Sequence, residues 1–203
     1  MSTSPTGQVG YEILLPPGWA QIPLRSGTGT ALEAILDAAT ASRRPEATDW
    51  REQMATQLEQ VVARARAANC VHLYLPFAAL HGFTVAASMS VAEVAFGALD
   101  PIDPGELTGR LATAPNGRQL IVGGVVATRT ERICQADPGR GAVLPSRQVD
   151  HFVPFPDDPD RWLVISFSAL RPADESIVDP SPEWVALFDA VMTTFRWVTQ
   201  RSD

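Results

Sequence analysis

The sequence contains no lysine, and all 16 of its basic residues are arginine. A Walker A loop needs a lysine on the nucleotide phosphates, and a protein kinase needs a strand lysine for the same purpose. A pyridoxal-phosphate enzyme needs a lysine for its Schiff base. The absence of lysine therefore excludes all three classes, and it also excludes acetylation of lysine side chains.

Cysteine and histidine are scarce, with two cysteines and three histidines in the chain. Zinc sites need closely spaced ligand pairs such as C-x-x-C, whereas Cys70 and Cys134 lie far apart in the sequence. We therefore expect no metal and no cofactor. The two cysteines are interpreted as buried thiols in a reducing compartment, with a disulfide between them as the alternative.

The chain also lacks long hydrophobic runs, since none approaches the roughly 20 residues that a membrane-spanning helix needs. Residues 1–10 lack the basic and apolar regions of a signal peptide. The formal net charge of −7 disfavours binding to nucleic acid and to anionic lipid. These features predict a cytoplasmic protein with no nucleic-acid or membrane partner.

A chain of 203 residues with 45% hydrophobic and 19% charged residues is typical of one globular domain. We expect a single domain over residues 1–203, with flexible tails at 1–8 and 199–203. The hydrophobic pattern predicts strands over residues 9–15, 19–24, 70–77, 83–91, 118–134, 141–155 and 161–170. Helices are predicted to begin near residues 30, 48, 103 and 181, where capping residues precede apolar stripes.

The predicted order of elements is β-β-α-α-β-β-α-β-β-β-α. Short links between consecutive strands favour hairpins, and hence an antiparallel sheet. Helices at both ends of the strand run are able to cover both faces of that sheet. The sequence therefore predicts an α+β fold, an α/β/α sandwich with a mainly antiparallel central sheet flanked by helices. The strand 161–170 is apolar on both faces and is expected to be central, and Gly123-Gly124 is interpreted as a bulge within the strand 118–134.

Two stretches carry a resemblance to a known family. Residues 11–19 read YEILLPPGW, a strand followed by a Leu-Pro-x-Gly-Trp type of turn. Residues 162–197 contain an apolar strand, a proline-bearing loop and a helix that closes on Phe-Arg. Both resemble the PsbP-like α/β/α sandwich family, which includes actinobacterial lipoproteins. Because members of that family are mostly accessory or binding proteins, the resemblance implies this fold and disfavours catalysis.

The histidines were weighed as candidate acid–base groups. His72 follows Cys70 by two residues on a predicted strand, which places the two on one face as a conceivable thiolate–imidazole pair. His81 falls in a predicted turn. Asp150 and His151 are adjacent on a strand, so their side chains point to opposite faces and do not form a dyad. The interpretation favoured for each histidine is structural, and we assign no catalytic residue.

One loop has the features of an anion site. Gly27 and Gly29 precede Thr30, which is expected to cap a helix, and Arg25 lies close by in the sequence. Backbone N–H groups at a helix N-terminus bind anions. We therefore name Arg25, Gly27, Gly29 and Thr30 as the candidate anion-binding residues, with a plain helix-capping loop as the alternative.

Three hypotheses about function follow. The first is a non-enzymatic accessory protein that binds a protein partner, with Trp19, Arg25, Trp50 and Arg147 as candidate contact residues, because tryptophan and arginine are enriched at interface hot spots. The second is an anion-binding protein or an enzyme that uses Arg25 and the loop after it, with His72 or His151 as an acid–base group. The third is a structural subunit of a larger assembly. The sequence leaves the partner, the ligand and the oligomeric state open.

Overall fold

A computed structural model describes residues 8–40, 48–78, 85–95, 103–137, 139, 142–174 and 176–200 of the chain. These residues form the elements β1 (Gln8–Glu12), β2 (Trp19–Pro23), α1 (Thr28–Thr40), α2 (Thr48–Ala67), β3 (Cys70–Pro76), β4 (Ala87–Ala95), α3 (Pro104–Thr113), β5 (Arg118–Val122), β6 (Val125–Cys134), β7 (Ser146–Phe155), β8 (Asp158–Leu170), α4 (Ser181–Met192) and β9 (Arg196–Gln200). The predicted turn at His81 lies outside the described residues.

Seven of the described strands form one sheet in the order β2-β3-β4-β8-β7-β6-β5, and every neighbouring pair in it is antiparallel. The apolar strand β8 occupies the middle of this order, as its sequence predicts. The α+β fold with a large antiparallel sheet is therefore confirmed. None of the described helices has the length and apolar character needed to cross a bilayer.

The two faces of the sheet carry separate apolar clusters. Alternation along β3 shows this directly, because Leu73 belongs to the cluster that contains side chains of α1 and α2, while Tyr74 belongs to the cluster that contains side chains of α4. On the α4 face, the rings of Phe167 and Phe188 stack with centroids 4.7 Å apart. Helices thus cover both faces, and the core is divided into two layers by the sheet.

The long strand predicted over residues 118–134 is wrong, because the chain reverses in its middle. Gly123 and Gly124 adopt φ values of +57° and +82° and form a two-residue hairpin turn between β5 and β6. Positive φ at both central positions is the requirement of a type I′ turn, which glycine meets without steric cost. A glycine pair inside an apolar run therefore marks a turn here, and not a bulge.

A two-stranded antiparallel ribbon, formed by β1 and β9, lies across the α4 face of the main sheet. Strand β9 is not predicted from the sequence, in which the last helix closes on Phe-Arg and residues 199–203 are expected to be a flexible tail. Tyr11 from β1 stacks on Phe195, and Trp197 from β9 packs on Phe155 with ring centroids 4.8 Å apart. Most of the predicted tails lies outside the described residues, but Gln8, Thr199 and Gln200 belong to this ribbon.

The helix starts follow from local capping. At α3, Asp103 accepts a hydrogen bond from the backbone N–H of Gly105, as its sequence predicts. Helix α1 begins at Thr28 instead of Thr30, and the Thr28 hydroxyl donates to the carbonyl of Pro23. The chain turns a corner between β2 and α1, and Arg66 from α2 closes this corner by donating to Leu24 O and to Thr28 Oγ1. These hydrogen bonds fix the backbone on both sides of Arg25, an exposed residue in the loop between β2 and α1.

Candidate functional site

A cleft of about 310 Å³ opens between the β1–β9 ribbon and one end of the main sheet. Its polar side chains come from four separate elements and from the loop after β2. They are Tyr11, Arg25, Ser26, His72, Glu93 and Arg161. Its apolar wall is formed by Val71, Phe155, Leu163 and Trp197. A concave apolar surface with a few converging polar groups is the usual form of a small-molecule site.

A β-bulge in β3 directs the side chain of His72 into this cleft. The register between β3 and β4 shifts between Cys70 and His72, so that Val71 and His72 both face the cleft while Cys70 faces the α1–α2 layer. Bulges are common beside functional sites, where they redirect a side chain. The prediction that Cys70 and His72 share one face is therefore wrong, because it assumed an unbroken alternation along the strand.

The two cysteines are unpaired thiols, as predicted, but they are half-buried instead of buried. Burial raises the pKa of the Cys70 thiol above its ordinary value, although a hydrogen bond from Ser90 opposes the shift. A raised pKa leaves the thiol protonated at neutral pH and a poor nucleophile. With His72 on the other face, Cys70 has neither the geometry nor the acidity of a nucleophile.

His72 is held at the cleft by a chain of three side chains. The hydroxyl of Tyr11 lies 2.6 Å from Nδ1 of His72 and 2.9 Å from the hydroxyl of Tyr74. The ring of Tyr11 also meets the ring of His72 edge-on, with centroids 5.5 Å apart. The β1–β9 ribbon thus contributes the residue that fixes the orientation of a histidine on the main sheet.

Two arginines converge on one carboxylate at the cleft. Arg25 Nη2 donates to Oε2 of Glu93 at 2.8 Å, and Arg161 donates through Nε and Nη2 to Oε1. The guanidinium of Arg161 also lies over the ring of Phe155, with its Cζ 4.3 Å from the ring centroid. Arg161 is therefore held in place, whereas the side chain of Arg25 is 63% exposed.

The pKa shifts define the charges in the cleft at neutral pH. Burial lowers the pKa of His72, and the positive charge of Arg25 lowers it further, so the imidazole is neutral. Burial by itself raises the pKa of Glu93, but hydrogen bonds from Arg161 and Arg25 outweigh it and hold the pKa below its ordinary value. Burial raises the pKa of Tyr74 to about 12 and that of Tyr11 still further. Both tyrosines are therefore neutral donors.

The candidate anion-binding residues divide between two places. Arg25 lines the cleft together with Ser26, while Gly27, Gly29 and Thr30 are not among its lining residues. Gly27 precedes α1 with a φ of +75°, and Gly29 and Thr30 lie exposed in its first turn. The structure thus brings Arg25 together with His72, which the second hypothesis requires, and leaves the glycine loop outside.

The candidate partner-contact residues do not form one patch. Arg25 lies at the end of the sheet where β8 begins, while Arg147 lies beside Ala169 near the end of β8. Trp19 is half-buried and stacks on Phe167, with ring centroids 6.5 Å apart. Trp50 is half-buried in the first turn of α2. If these residues bind partners, they do so at different surfaces.

Arg147 belongs to an ion-pair network that ties α4 to the sheet. It donates to Glu131 at 2.7 Å and to Ser181 at 2.9 Å. Glu131 also accepts from Arg129, whose Nε donates to Asp189 of α4 at 2.8 Å. The side chain of Arg129 is only 6% exposed. This network is a structural connection between α4 and the sheet.

His151 is not among the residues that line the cleft, and it lies beneath α4. Its side chain has no exposed surface, and its ring meets Phe188 edge-on with centroids 5.3 Å apart. Asp150 points to the other face and pairs with Arg132, as the alternation predicts. Burial, with smaller contributions from Arg129 and Arg118, lowers the pKa of His151 to about 4 despite the nearby carboxylate of Asp189.

His151 is expected to make the protein sensitive to acid. The unfolded chain binds a proton at this site near pH 6.5, but the folded chain does so only near pH 4. Stability is therefore unaffected at neutral pH and falls as the pH drops below about 6.5. Between pH 7 and pH 5 we expect a loss of about 2 kcal/mol in the free energy of unfolding from this residue. Urea denaturation at both pH values measures it, and His151→Leu should flatten the dependence. An unchanged pH slope in His151→Leu would show that another group is responsible.

Strand β8 begins with two aspartates, Asp158 and Asp160, near the cleft residue Arg161. Asp158 approaches Arg161 at 3.9 Å and accepts from the backbone N–H of Asp160. Within the described ranges, His, Cys, Asp and Glu side chains do not come together in groups of three that suit a metal ion. The polar groups of the cleft are instead hydrogen-bond donors and one paired carboxylate.

Sequence reasoning missed Tyr11, Glu93 and Arg161 as cleft residues. Tyr11 falls on the apolar side of the predicted strand 9–15, and only its hydroxyl group indicates that it makes polar contacts. Glu93 and Arg161 meet because β4 and β8 pair in a register that places Glu93 opposite Leu163. No local pattern in the sequence gives that register.

Comparison with known proteins shows a distant likeness in fold. No protein-family model matches the sequence, and none of the curated proteins compared matches it. Among solved structures, the chain is similar to LpqN, described as involved in cell envelope biogenesis of Mycobacterium tuberculosis, with 10% sequence identity and a TM-score of 0.46. That match covers 95% of this chain and 86% of LpqN. At this level of likeness the comparison gives no information about function, and the resemblance to the PsbP-like family stays a prediction.

Proposed function

We propose that this protein binds a small organic anion in the cleft between the β1–β9 ribbon and the main sheet. The observation that carries the proposal is the convergence of Arg25, Arg161 and His72 in a single cleft. The apolar wall beside these donors suits the uncharged part of an organic molecule, and a volume of about 310 Å³ suits a small one. Arg161 is partly shielded from water, which strengthens its attraction to a ligand of opposite charge, whereas Arg25 is largely exposed.

Thermal unfolding with three phenyl anions, namely benzoate, benzenesulfonate and phenyl phosphate, tests the proposal. A probe at ten times its Kd stabilises the folded state by about 1.4 kcal/mol, which raises the Tm by roughly 3–6 °C for a domain of this size. We expect at least one of the three anions to do so for the wild type. Arg25→Gln should abolish the increase.

Arg118→Gln provides the matched control, because it removes an arginine that is 60% exposed and lies outside the cleft. It should leave the anion-dependent increase in Tm unchanged. An equal loss in both variants would indicate general attraction of anions to arginine, and no increase with any probe would contradict the proposal.

A second candidate function, binding to a protein partner as an accessory protein, is favoured by one separate observation. Large apolar side chains are exposed at the end of the sheet opposite the cleft. They are Val143, Leu144, Leu170, Ile177 and Val178, with Val178 86% exposed. Exposed apolar clusters of this kind often mark interaction surfaces. A stoichiometric partner that is retained by Arg25→Gln and lost by the double variant Leu144→Ser, Val178→Ser would support this function.

A further inference from the structure

The hydrogen-bond chain behind His72 fixes which ring nitrogen carries the proton. The side chain of Tyr74 is buried, and Tyr11 is its hydrogen-bond partner within the described residues. Each tyrosine hydroxyl has one proton to donate. If Tyr11 donated to Tyr74, the proton of Tyr74 would have no protein acceptor in the described part of the chain, which is costly for a side chain that is only 1% exposed. Tyr74 therefore donates to Tyr11, and Tyr11 donates to Nδ1 of His72.

Because Nδ1 accepts this hydrogen bond, the neutral imidazole of His72 carries its proton on Nε2. Nε2 has no hydrogen-bond partner among the described residues, and it is not buried. His72 lines the cleft, so it offers an unused N–H to a ligand there. Arg25 offers further N–H donors to a ligand, because only its Nη2 is bonded to Glu93. Its Nη1 and Nε have no protein partners in the described part of the chain.

The charge of the cleft limits the charge of the ligand. Two guanidinium groups and one carboxylate, from Arg25, Arg161 and Glu93, leave a single excess positive charge among the lining residues that the structure describes. Asp158 approaches Arg161 Nε at 3.9 Å but does not line the cleft, and because it is 41% exposed, water screens its charge. A ligand with one negative charge neutralises the cleft, whereas a dianion leaves an uncompensated charge in a partly desolvated site.

We propose that the ligand of the cleft is a monocarboxylic acid whose carboxylate accepts from Arg25 with one oxygen and from Nε2–H of His72 with the other. This inference rests on the proposed function and names the chemical class of its ligand. Tyr11 is a positioning residue, because it acts through His72 by holding the imidazole in one tautomer. A carboxylate presents two oxygens in one plane, so one oxygen is able to accept from the arginine and the other from the adjacent N–H donor.

Calorimetry at pH 7.5 with three probes that share a phenyl ring tests the ligand class. Benzoate should bind about tenfold more tightly than benzamide, which lacks the charge, and than phenyl phosphate, which carries a second charge at this pH. If phenyl phosphate binds as tightly as benzoate, the carboxylate assignment is overturned while anion binding by the cleft stands. If none of the three binds, the proposed function fails together with the inference.

Variants of His72 test the role of Nε2. Glutamine places its amide N–H near the position of Nε2, whereas asparagine places it near that of Nδ1. We expect His72→Gln to retain benzoate binding within about threefold and His72→Asn to weaken it about tenfold. Equal weakening in both variants would overturn the assignment of Nε2 as the donor.

The tautomer is measured directly by ¹⁵N NMR of the three histidines, with His72 assigned from the spectrum of His72→Gln. The wild type should show a protonated Nε2 and an unprotonated Nδ1. Tyr11→Phe removes the donor to Nδ1, so it should give a mixture of tautomers and weaken benzoate binding less than His72→Asn does. A protonated Nδ1 in the wild type overturns the proposal independently of any binding result.

Discussion

Replacement of Arg129 by alanine is expected to lower the free energy of unfolding by about 3 kcal/mol. Arg129 is the buried centre of the ion-pair network between β6 and α4, where it donates to Asp189 at 2.8 Å and to Glu131 at 2.9 Å. Its removal leaves two carboxylates without their central partner and a cavity between sheet and helix. For a domain of about 200 residues this loss corresponds to a decrease in Tm of roughly 6–12 °C.

The expected loss lies at the lower end of the range for broken buried ion pairs, because each carboxylate keeps a second arginine. Arg147 still donates to Glu131, and Arg118 still approaches Asp189 at 3.5 Å. Arg118→Ala serves as the control. It removes a side chain that is 60% exposed, so it should cost less than about 1 kcal/mol. Equal losses in the two variants would show that burial of Arg129 does not determine its contribution.

Replacement of Gly123 by alanine is expected to destabilise the protein by about 2–4 kcal/mol. The left-handed conformation at φ +57° accounts for part of this loss, since a Cβ is strained there. The remainder comes from a collision, because a Cβ at Gly123 would lie 2.9 Å from the ring of Phe195 and 3.0 Å from that of Trp197. Phe195 is buried and packed on both sides, so it has little room to move.

The neighbouring glycine separates these two effects. Gly124 also has a positive φ, of +82°, but a Cβ there would meet no atom within 4 Å. Gly124→Ala should therefore cost only the backbone strain, about 1 kcal/mol. Urea denaturation of both variants measures the difference. Equal losses would contradict this account, because they would mean that Phe195 and Trp197 move aside to accommodate the Cβ at little cost.

Much of the fold is predictable from the sequence, because its signals are local. Asp103 and Pro104 mark the start of α3, and the doubly apolar pattern of β8 predicts its central place in the sheet. The β1–β9 ribbon has no such local signal. It joins the two ends of the chain through pairs such as Tyr11 with Trp197, and no local pattern in the sequence reports a contact between such distant residues.

The candidate site was predictable only in part for the same reason. Arg25 and His72 drew attention as residue types with chemistry to offer. Their convergence depends on a bulge in β3, on the corner closed by Arg66 and on the register that brings Glu93 beside Arg161. These are features of tertiary structure. The glycine loop after Arg25 suggested an anion site by analogy with helix N-termini, but its place in the fold is the start of α1, outside the cleft.

Chemical-shift mapping tests most directly whether the cleft binds a small carboxylate. ¹H–¹⁵N spectra of the labelled protein, recorded with increasing benzoate, locate the bound probe without any substitution. Saturable shifts should be concentrated at Tyr11, His72, Glu93 and the indole N–H of Trp197. Shifts that are concentrated around Arg118 and Asn116, or no saturable shifts at all, would contradict the claim.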